Sequence, residues 1–279
     1  MSILQILILA VVQGLAEMLP VSSSAHVIVA QKLMGLDPSA PEMTFLLVML
    51  HTGTMFAALL YFGRRWLQRL SSAFLKTIAL ATVCTGILGF GLKIGIEKTV
   101  RTGEVESLFN NLPLIGTALL TAGLLIIYSG RKKTPLGAIG QGAISNRQSI
   151  WIGISQGLCL PFRGLSRSGT TISMGLLTGV TRELSEEFSF ALAVVLTPPV
   201  VLMELKRLLK TLHQAAPGGP SLHLTQALAP GLIGMAFSFC AALIALRFLS
   251  RVLERGKWEY FGYYCLAFSA VVFGIGFYS

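Results

Sequence analysis

The sequence predicts an all-α integral membrane protein built as an inverted-topology repeat, each half a re-entrant helical hairpin followed by three transmembrane helices. Three observations lead there. Of 279 residues, 53% are hydrophobic and only 12% charged, with a mean hydropathy of +0.72, against about 25% charged in an ordinary soluble domain. Six apolar runs reach the roughly 20 residues needed to cross a hydrocarbon core. Two further apolar stretches are broken midway by proline, glycine and polar residues, and the two interruptions resemble each other.

The first broken stretch, about 3–33, contains QGLAEMLPVSSSAH from Gln13. Runs at 44–62, 77–97 and 112–129 follow, each a full span. The second broken stretch, about 150–180, contains QGLCLPFRGLSRSGTT from Gln156, and spans at 187–205, 227–249 and 259–278 complete the chain. Backbone that leaves the helix at membrane depth survives only where protein or a watery cavity surrounds it, so both broken stretches are predicted to be re-entrant hairpins with tips meeting inside the protein. Both begin Gln-Gly-Leu, reach a proline (Pro20 or Pro161) and continue into a serine cluster. An odd number of spans between the copies inverts the second relative to the first. Such folds place their site near the midplane, with half-helix N-termini facing anionic groups. No large hydrophilic block remains, which gives one membrane domain over 1–279, with repeat 1 about 1–130 and repeat 2 about 148–279.

The net charge of +10 does not point to nucleic acid. Its basic residues fall in short clusters between apolar runs, such as RRWLQR at 64–69 and RKK at 131–133, a pattern that marks cytoplasmic loops. Placing 63–76, 130–149, 182–186 and 250–257 in the cytoplasm leaves fewer basic residues opposite, including Lys98, Arg101 and Lys206. Cys84, Cys159, Cys240 and Cys265 all lie in apolar runs without metal-ligand spacing and read as small core hydrophobes. The N-terminus lacks a basic n-region and a small-residue cleavage site, and is read as part of the mature protein. Trp66, Trp258, Tyr260, Tyr263 and Tyr264, at span ends, read as interfacial anchors.

Chemistry concentrates at the two tips. Gln13 and Glu17, four apart, share a helix face, and a carboxylate at membrane depth is costly enough to be functional by default. Glu17 is a candidate cation ligand or proton-transfer group, with Gln13 either a second cation ligand or a polar helix contact. Among Ser22, Ser23 and Ser24, any one would cap the returning half-helix. His26, three residues after Ser23, offers the alternative of a nucleophile and its base. Arg163 and Arg167 are the basic residues inside a hairpin at membrane depth. With Ser166, Ser168 and Thr170 and the N–H groups of a following helix, they suit a phosphate; the structural alternative for Arg167 is an ion pair with Glu17. His51, in the span sequence HTGT, reads as a helix–helix hydrogen bond. His213 and His223, in the loop with Pro-Gly-Gly-Pro, are assigned no chemistry.

At these two motifs the chain resembles the undecaprenyl-diphosphate phosphatase family, also known for conferring bacitracin resistance, over essentially its full length. The resemblance implies that Gln13 and Glu17 fall on the family's acidic pair, Ser23 on its proposed nucleophile, His26 on its histidine and Arg167 on its essential arginine. It implies dependence on a divalent cation (Mg²⁺ or Ca²⁺), frequent homodimerisation, and a site open to the periplasm of the bacterial inner membrane. Two departures stand out: Arg163 occupies a position where the family's second motif has proline, and Tyr263 is followed by Tyr264 where the family tends to have Tyr-Arg.

The expected function is hydrolysis of a polyprenyl diphosphate to the monophosphate and inorganic phosphate, recycling a lipid carrier for cell-wall synthesis. Ser23, His26, Glu17 and Arg167 are the expected catalytic set, Ser22, Ser166, Ser168, Thr170 and Arg163 the expected phosphate-binding set, and Glu17 and Gln13 the expected metal ligands. A transporter or flippase of polyprenyl phosphate or a small anion shares the architecture, and helix periodicity does not separate the two. An intramembrane serine hydrolase acting on acyl or peptide bonds gives no reason for the buried arginine motif.

Overall fold

The computed structural model describes residues 1–37, 41–99, 111–132, 143–214 and 224–278. Arg101, Lys133, His223, the Pro-Gly-Gly-Pro run at 217–220 and the side chain of His213 lie outside the described residues. Ten helices occur among those described: α1 (Ile3–Met18), α2 (Ser23–Leu33), α3 (Pro41–Arg69), α4 (Ser72–Thr99), α5 (Leu112–Arg131), α6 (Asn146–Cys159), α7 (Arg167–Leu177), α8 (Arg182–Gln214), α9 (Leu224–Glu254) and α10 (Glu259–Tyr278). Six of them, α3, α4, α5, α8, α9 and α10, are long and apolar enough to cross a membrane. They coincide with the six runs read from the sequence.

The two broken stretches become the helix pairs α1–α2 and α6–α7. At about 1.5 Å per residue, neither 16-residue α1 nor 11-residue α2 reaches across a hydrocarbon core of about 30 Å. Both hairpins start with the same device, a capping box in which a serine caps the first turn and a glutamine three residues on returns the bond: Ser2 with Gln5, and Ser145 with Gln148. Gln148 Nε2 also donates to the Thr178 carbonyl (3.1 Å), tying the two ends of the second hairpin together.

Each first arm packs against a long helix of the other half, α1 on α9 and α6 on α4. The glycine of each Gln-Gly-Leu marks the crossing. A Cβ on Gly14 would stand 2.5 Å from the Ser238 carbonyl oxygen of α9, and one on Gly157 3.1 Å from the Thr85 carbonyl oxygen of α4. This reciprocal packing is consistent with a duplicated architecture. α5 and α10 pair along their length and α3 lies against both α9 and α8, so the hairpin tips are enclosed by spans. The main buried cluster runs from Ala16, Val21 and Ile28 through Ile115 and Leu119 to Leu246 and Cys265.

The other end of α3 carries a polar network that the span assignment did not anticipate. α8 begins at Arg182, so Glu186 and Glu187, each 2% exposed, lie inside its first turns and not in a loop. Glu187 pairs with Arg65 (3.5 Å) and Arg69 (3.0 Å) of α3, and its carbonyl accepts from Trp66 Nε1. Glu186 accepts from Ser250 of α9 (2.9 Å). Trp258 is fully buried, its Nε1 donating to Ser129 Oγ (3.1 Å), which corrects its reading as an interfacial anchor. Tyr260, Tyr263 and Tyr264 are exposed.

Candidate active site

The returning arms α2 and α7 start with Ser23 and Arg167, and both first residues reach one carboxylate. Glu17, one residue from the end of α1, receives the Ser23 hydroxyl on Oε2 at 2.5 Å and the Arg167 guanidinium on Oε1. Gln13 Nε2 donates to Oε2 from the same face of α1 (3.2 Å). His51 of α3 brings its Nε2 to 3.6 Å from Oε2. Four elements therefore converge on one side chain that is 10% exposed. A carboxylate taken out of water needs such partners, since an unpaired ion there costs several kcal/mol. The ion-pair alternative for Arg167 is thus realised, and it joins the serine and the arginine at one point.

Backbone geometry opens the same point to a ligand. Ser22, at the N-cap of α2, has φ 67° and ψ 90°, the one non-glycine residue with positive φ among those described. This left-handed conformation costs an L-residue about 1–2 kcal/mol. It turns the chain sharply after Pro20 and leaves the first turn of α2 without a side-chain cap. The Ser22 hydroxyl is buried without a partner, as is Nη1 of Arg167. Gly164, at φ 110°, makes the matching turn before α7, where a Cβ would clash with the Ile115 backbone of α5. Ser166 caps α7, accepting from Gly169 N at 3.1 Å. Ser168 Oγ reaches back to the Leu19 carbonyl of the first tip (3.4 Å).

Between the tips lies a cavity of about 470 Å³. Its polar end is formed by Gln13, Glu17, Ser22, Ser23, Ser24, His51, Arg163, Ser166, Arg167 and Ser168, and its apolar wall by Leu47, Val48, Leu160, Phe162, Leu196, Val200 and Val201. Two predicted site residues stand elsewhere. Thr170 is buried in α7 and is not part of the lining. His26 does not present its imidazole to Ser23, nor does it line the cavity. Its Nδ1 bonds the Ser22 carbonyl (2.9 Å), its Nε2 the Tyr264 hydroxyl of α10 (2.7 Å), and its ring stacks on Phe268 at 3.9 Å.

His51 is the residue that sequence reasoning undervalued. Its Nδ1 bonds the Leu47 carbonyl of its own helix (2.8 Å), its Nε2 approaches Glu17 of α1 at 3.6 Å, beyond hydrogen-bond distance, and its half-exposed ring lies on the cavity wall. The available signal was a titratable group in mid-span.

A half-buried guanidinium, a serine hydroxyl on a carboxylate, and two helix N-termini define an intramembrane site for an amphiphile with an anionic, phosphate-like head. Comparison with known proteins gives the family. Residues 6–271 match the model of the bacitracin resistance protein BacA, and the chain belongs to that family. It is 53% identical to undecaprenyl-diphosphatase 2 of Acinetobacter baylyi over 98% of this chain and 97% of that one. Identity to the undecaprenyl-diphosphatase of Desulfosudis oleivorans is 33%, covering 98% of each, and to undecaprenyl-diphosphatase 2 of Burkholderia orbicola 31%, covering 99% and 97%.

Proposed function

We propose that the chain is an undecaprenyl-diphosphate phosphatase, an integral membrane hydrolase that splits the lipid diphosphate into the lipid monophosphate and inorganic phosphate. The observation that carries this reading is the meeting of Ser23 and Arg167 on the two oxygens of Glu17 at the polar end of an otherwise apolar cavity. The diphosphate takes the polar end and the prenyl tail follows the wall of Leu47, Val48, Leu196 and Val200 towards lipid. A cavity of this size holds the head and the first prenyl units, within the roughly 300–1,000 Å³ of ordinary ligand sites.

Ser23 attacks the terminal phosphorus. Its O–H proton goes to Glu17 Oε2, an O–P bond forms, and the bridging P–O bond breaks, the lipid monophosphate leaving with the proton that Glu17 had taken. Water then attacks the phosphoserine, its hydroxyl joining phosphorus and its second proton returning to Ser23. The Nη1 of Arg167, the hydroxyls of Ser22, Ser166 and Ser168 and the guanidinium of Arg163 stabilise charge on the transferring phosphoryl group. His26 acts through the backbone, fixing the carbonyl of Ser22 and hence the turn that aims Ser23.

Gln13 and Glu17 do not form a cation site by themselves. A divalent cation of the Mg²⁺ or Ca²⁺ type needs several oxygen ligands. Here one carboxylate is already ringed by N–H and O–H donors, and Gln13, at the position of the family's second acid, is a neutral amide that itself donates to Glu17. No group of three or more His, Cys, Asp or Glu suited to a metal occurs among the described residues. A cation that takes part arrives on the diphosphate, and no step here passes through it.

The same reading puts the chain in the bacterial inner membrane with the cavity open to the periplasm; a homodimer is what the family resemblance implies. The cavity touches α3 at Leu47–His51, in the half away from the basic end with Arg64, Arg65 and Arg69, which belongs in the cytoplasm. Purified protein supplied with undecaprenyl diphosphate in detergent tests the function. Inorganic phosphate and lipid monophosphate appear in equal amounts if it holds. Movement of the lipid across vesicles without phosphate release would replace it with a flippase.

A further inference from the structure

Resting on the phosphatase reading, we propose that Tyr264 of α10 is a positioning residue for Ser23, its hydroxyl holding His26 in the orientation that supports the turn at Ser22. The chain of contacts is short. Tyr264 Oη lies 2.7 Å from His26 Nε2, and His26 Nδ1 lies 2.9 Å from the Ser22 carbonyl oxygen. A carbonyl only accepts, so Nδ1 carries a proton; on the neutral ring Nε2 is then a lone pair, and the Tyr264 O–H donates to it. The partner of one ring nitrogen thus fixes what the other presents.

The Ser22 carbonyl needs that support. Ser22 has φ 67° and ψ 90°, and a left-handed residue other than glycine persists only where its surroundings over-determine it. The cap supplies little of this itself. The Ser22 side chain makes no cap hydrogen bond, and the backbone N–H of His26 reaches the same carbonyl at a long 3.3 Å. The shorter bond from the His26 ring is the firmer hold. Ser23 follows directly, its hydroxyl 2.5 Å from Glu17 Oε2, so a rotation of the Ser22 peptide moves the attacking oxygen away from the carboxylate.

α10 holds the ring in two distinguishable ways. Phe268, one turn beyond Tyr264, stacks on His26 with centroids 3.9 Å and planes 9° apart, and so sets the tilt of the imidazole. The Tyr264 ring is also nearly parallel, at 10°, but its centroid is 5.6 Å away; it meets His26 through the hydroxyl and sets rotation within the plane. The same helix grips the tip once more, Cys265 Sγ donating to the Pro20 carbonyl at 3.4 Å. Tyr264 is not part of the cavity lining, so it acts on the reaction only through His26.

The test is a double-mutant cycle on phosphate release from undecaprenyl diphosphate by full-length protein in detergent, using Tyr264→Phe, His26→Ala and the two together. Tyr264→Phe keeps the ring and loses the hydroxyl. Its kcat should fall about tenfold, because slight misplacement of a reacting group is costly, with KM within about threefold and the melting temperature within about 4 °C. In the His26→Ala background the same change should alter kcat by less than about twofold, since the link it breaks is already gone. Tyr263→Phe is the control: its hydroxyl accepts from Arg131 (2.6 Å) on the same helix, and its loss should leave kcat unchanged. Unaltered kcat in Tyr264→Phe overturns the proposal, as does a fall of equal size in the His26→Ala background or in Tyr263→Phe. A Tyr264→Phe chain that does not fold overturns it too, because the hydroxyl would then serve stability and not aim. An unsubstituted chain that releases no phosphate refutes the phosphatase reading itself, whereas release with an unaltered Tyr264→Phe refutes only the role of Tyr264.

Discussion

Ser23 and Arg167, 144 positions apart in sequence, each bind one oxygen of Glu17, Ser23 on Oε2 and Arg167 on Oε1. Each is the first residue of the helix that returns from a hairpin tip. An anion entering the cavity meets both helix N-termini together with the serine hydroxyl and the unpartnered Nη1 of Arg167.

Glu17→Gln keeps the shape but removes the charge that Arg167 answers. Breaking a fully buried pair costs about 3–5 kcal/mol; with the Arg167 side chain 23% exposed, about 2 kcal/mol is expected. A lowered melting temperature in detergent, with loss of phosphate release, is the expected result.

Arg167→Lys separates charge from geometry. Lysine still pairs with Glu17, so the melting temperature should hold. The fork that serves carboxylate and phosphate together is lost, and kcat should fall by about 10²-fold or more.

Ser22→Gly removes a hydroxyl with no partner in the substrate-free site while suiting the left-handed backbone. Stability should be near unchanged, because relief of about 1–2 kcal/mol of backbone strain is offset by about 0.5–1 kcal/mol of glycine entropy. kcat/KM should fall about tenfold, the worth of about one hydrogen bond to the transferring phosphoryl group. Ser22→Val is expected to destabilise outright.

Gly14→Ala drives a methyl into the Ser238 carbonyl at 2.5 Å, whereas Gly157→Ala meets its nearest neighbours at 3.0–3.1 Å. Overpacking costs about 1–3 kcal/mol, and the first variant should melt clearly below the second.

Manganese spectroscopy bears on the cation. With no group of three or more His, Cys, Asp or Glu suited to a metal among the described residues, Mn²⁺ added to substrate-free protein should give the signal of the free ion, and a bound signal should appear only with the diphosphate. Tight binding without substrate would restore Glu17 and Gln13 as ligands.

The spans and both hairpins were legible because membranes allow few solutions: twenty apolar residues must cross, and Pro20 or Pro161 with a serine cluster cannot cross as helix. The convergence of Glu17 and Arg167 was legible for a related reason, since each needs a partner of opposite sign away from water. The aim of His26 was not. A spacing of three residues puts it on the helix face of Ser23, but its Nε2 partner, Tyr264, lies 238 residues away, a contact that local spacing does not encode. Thr170 shared the signal of its neighbouring serines and turns away from the cavity because α7 is helical from Arg167. His51 was hidden by an ordinary cause: one histidine in an apolar span looks the same whether it faces another helix or a cavity.

The most direct measurement is phosphate release from undecaprenyl diphosphate by folded, purified Ser23→Ala protein beside the unsubstituted chain. Release by the unsubstituted chain and a rate reduced by about 10³-fold or more in the variant are expected if the serine on Glu17 is the group that meets phosphorus. An undiminished rate in Ser23→Ala would contradict it.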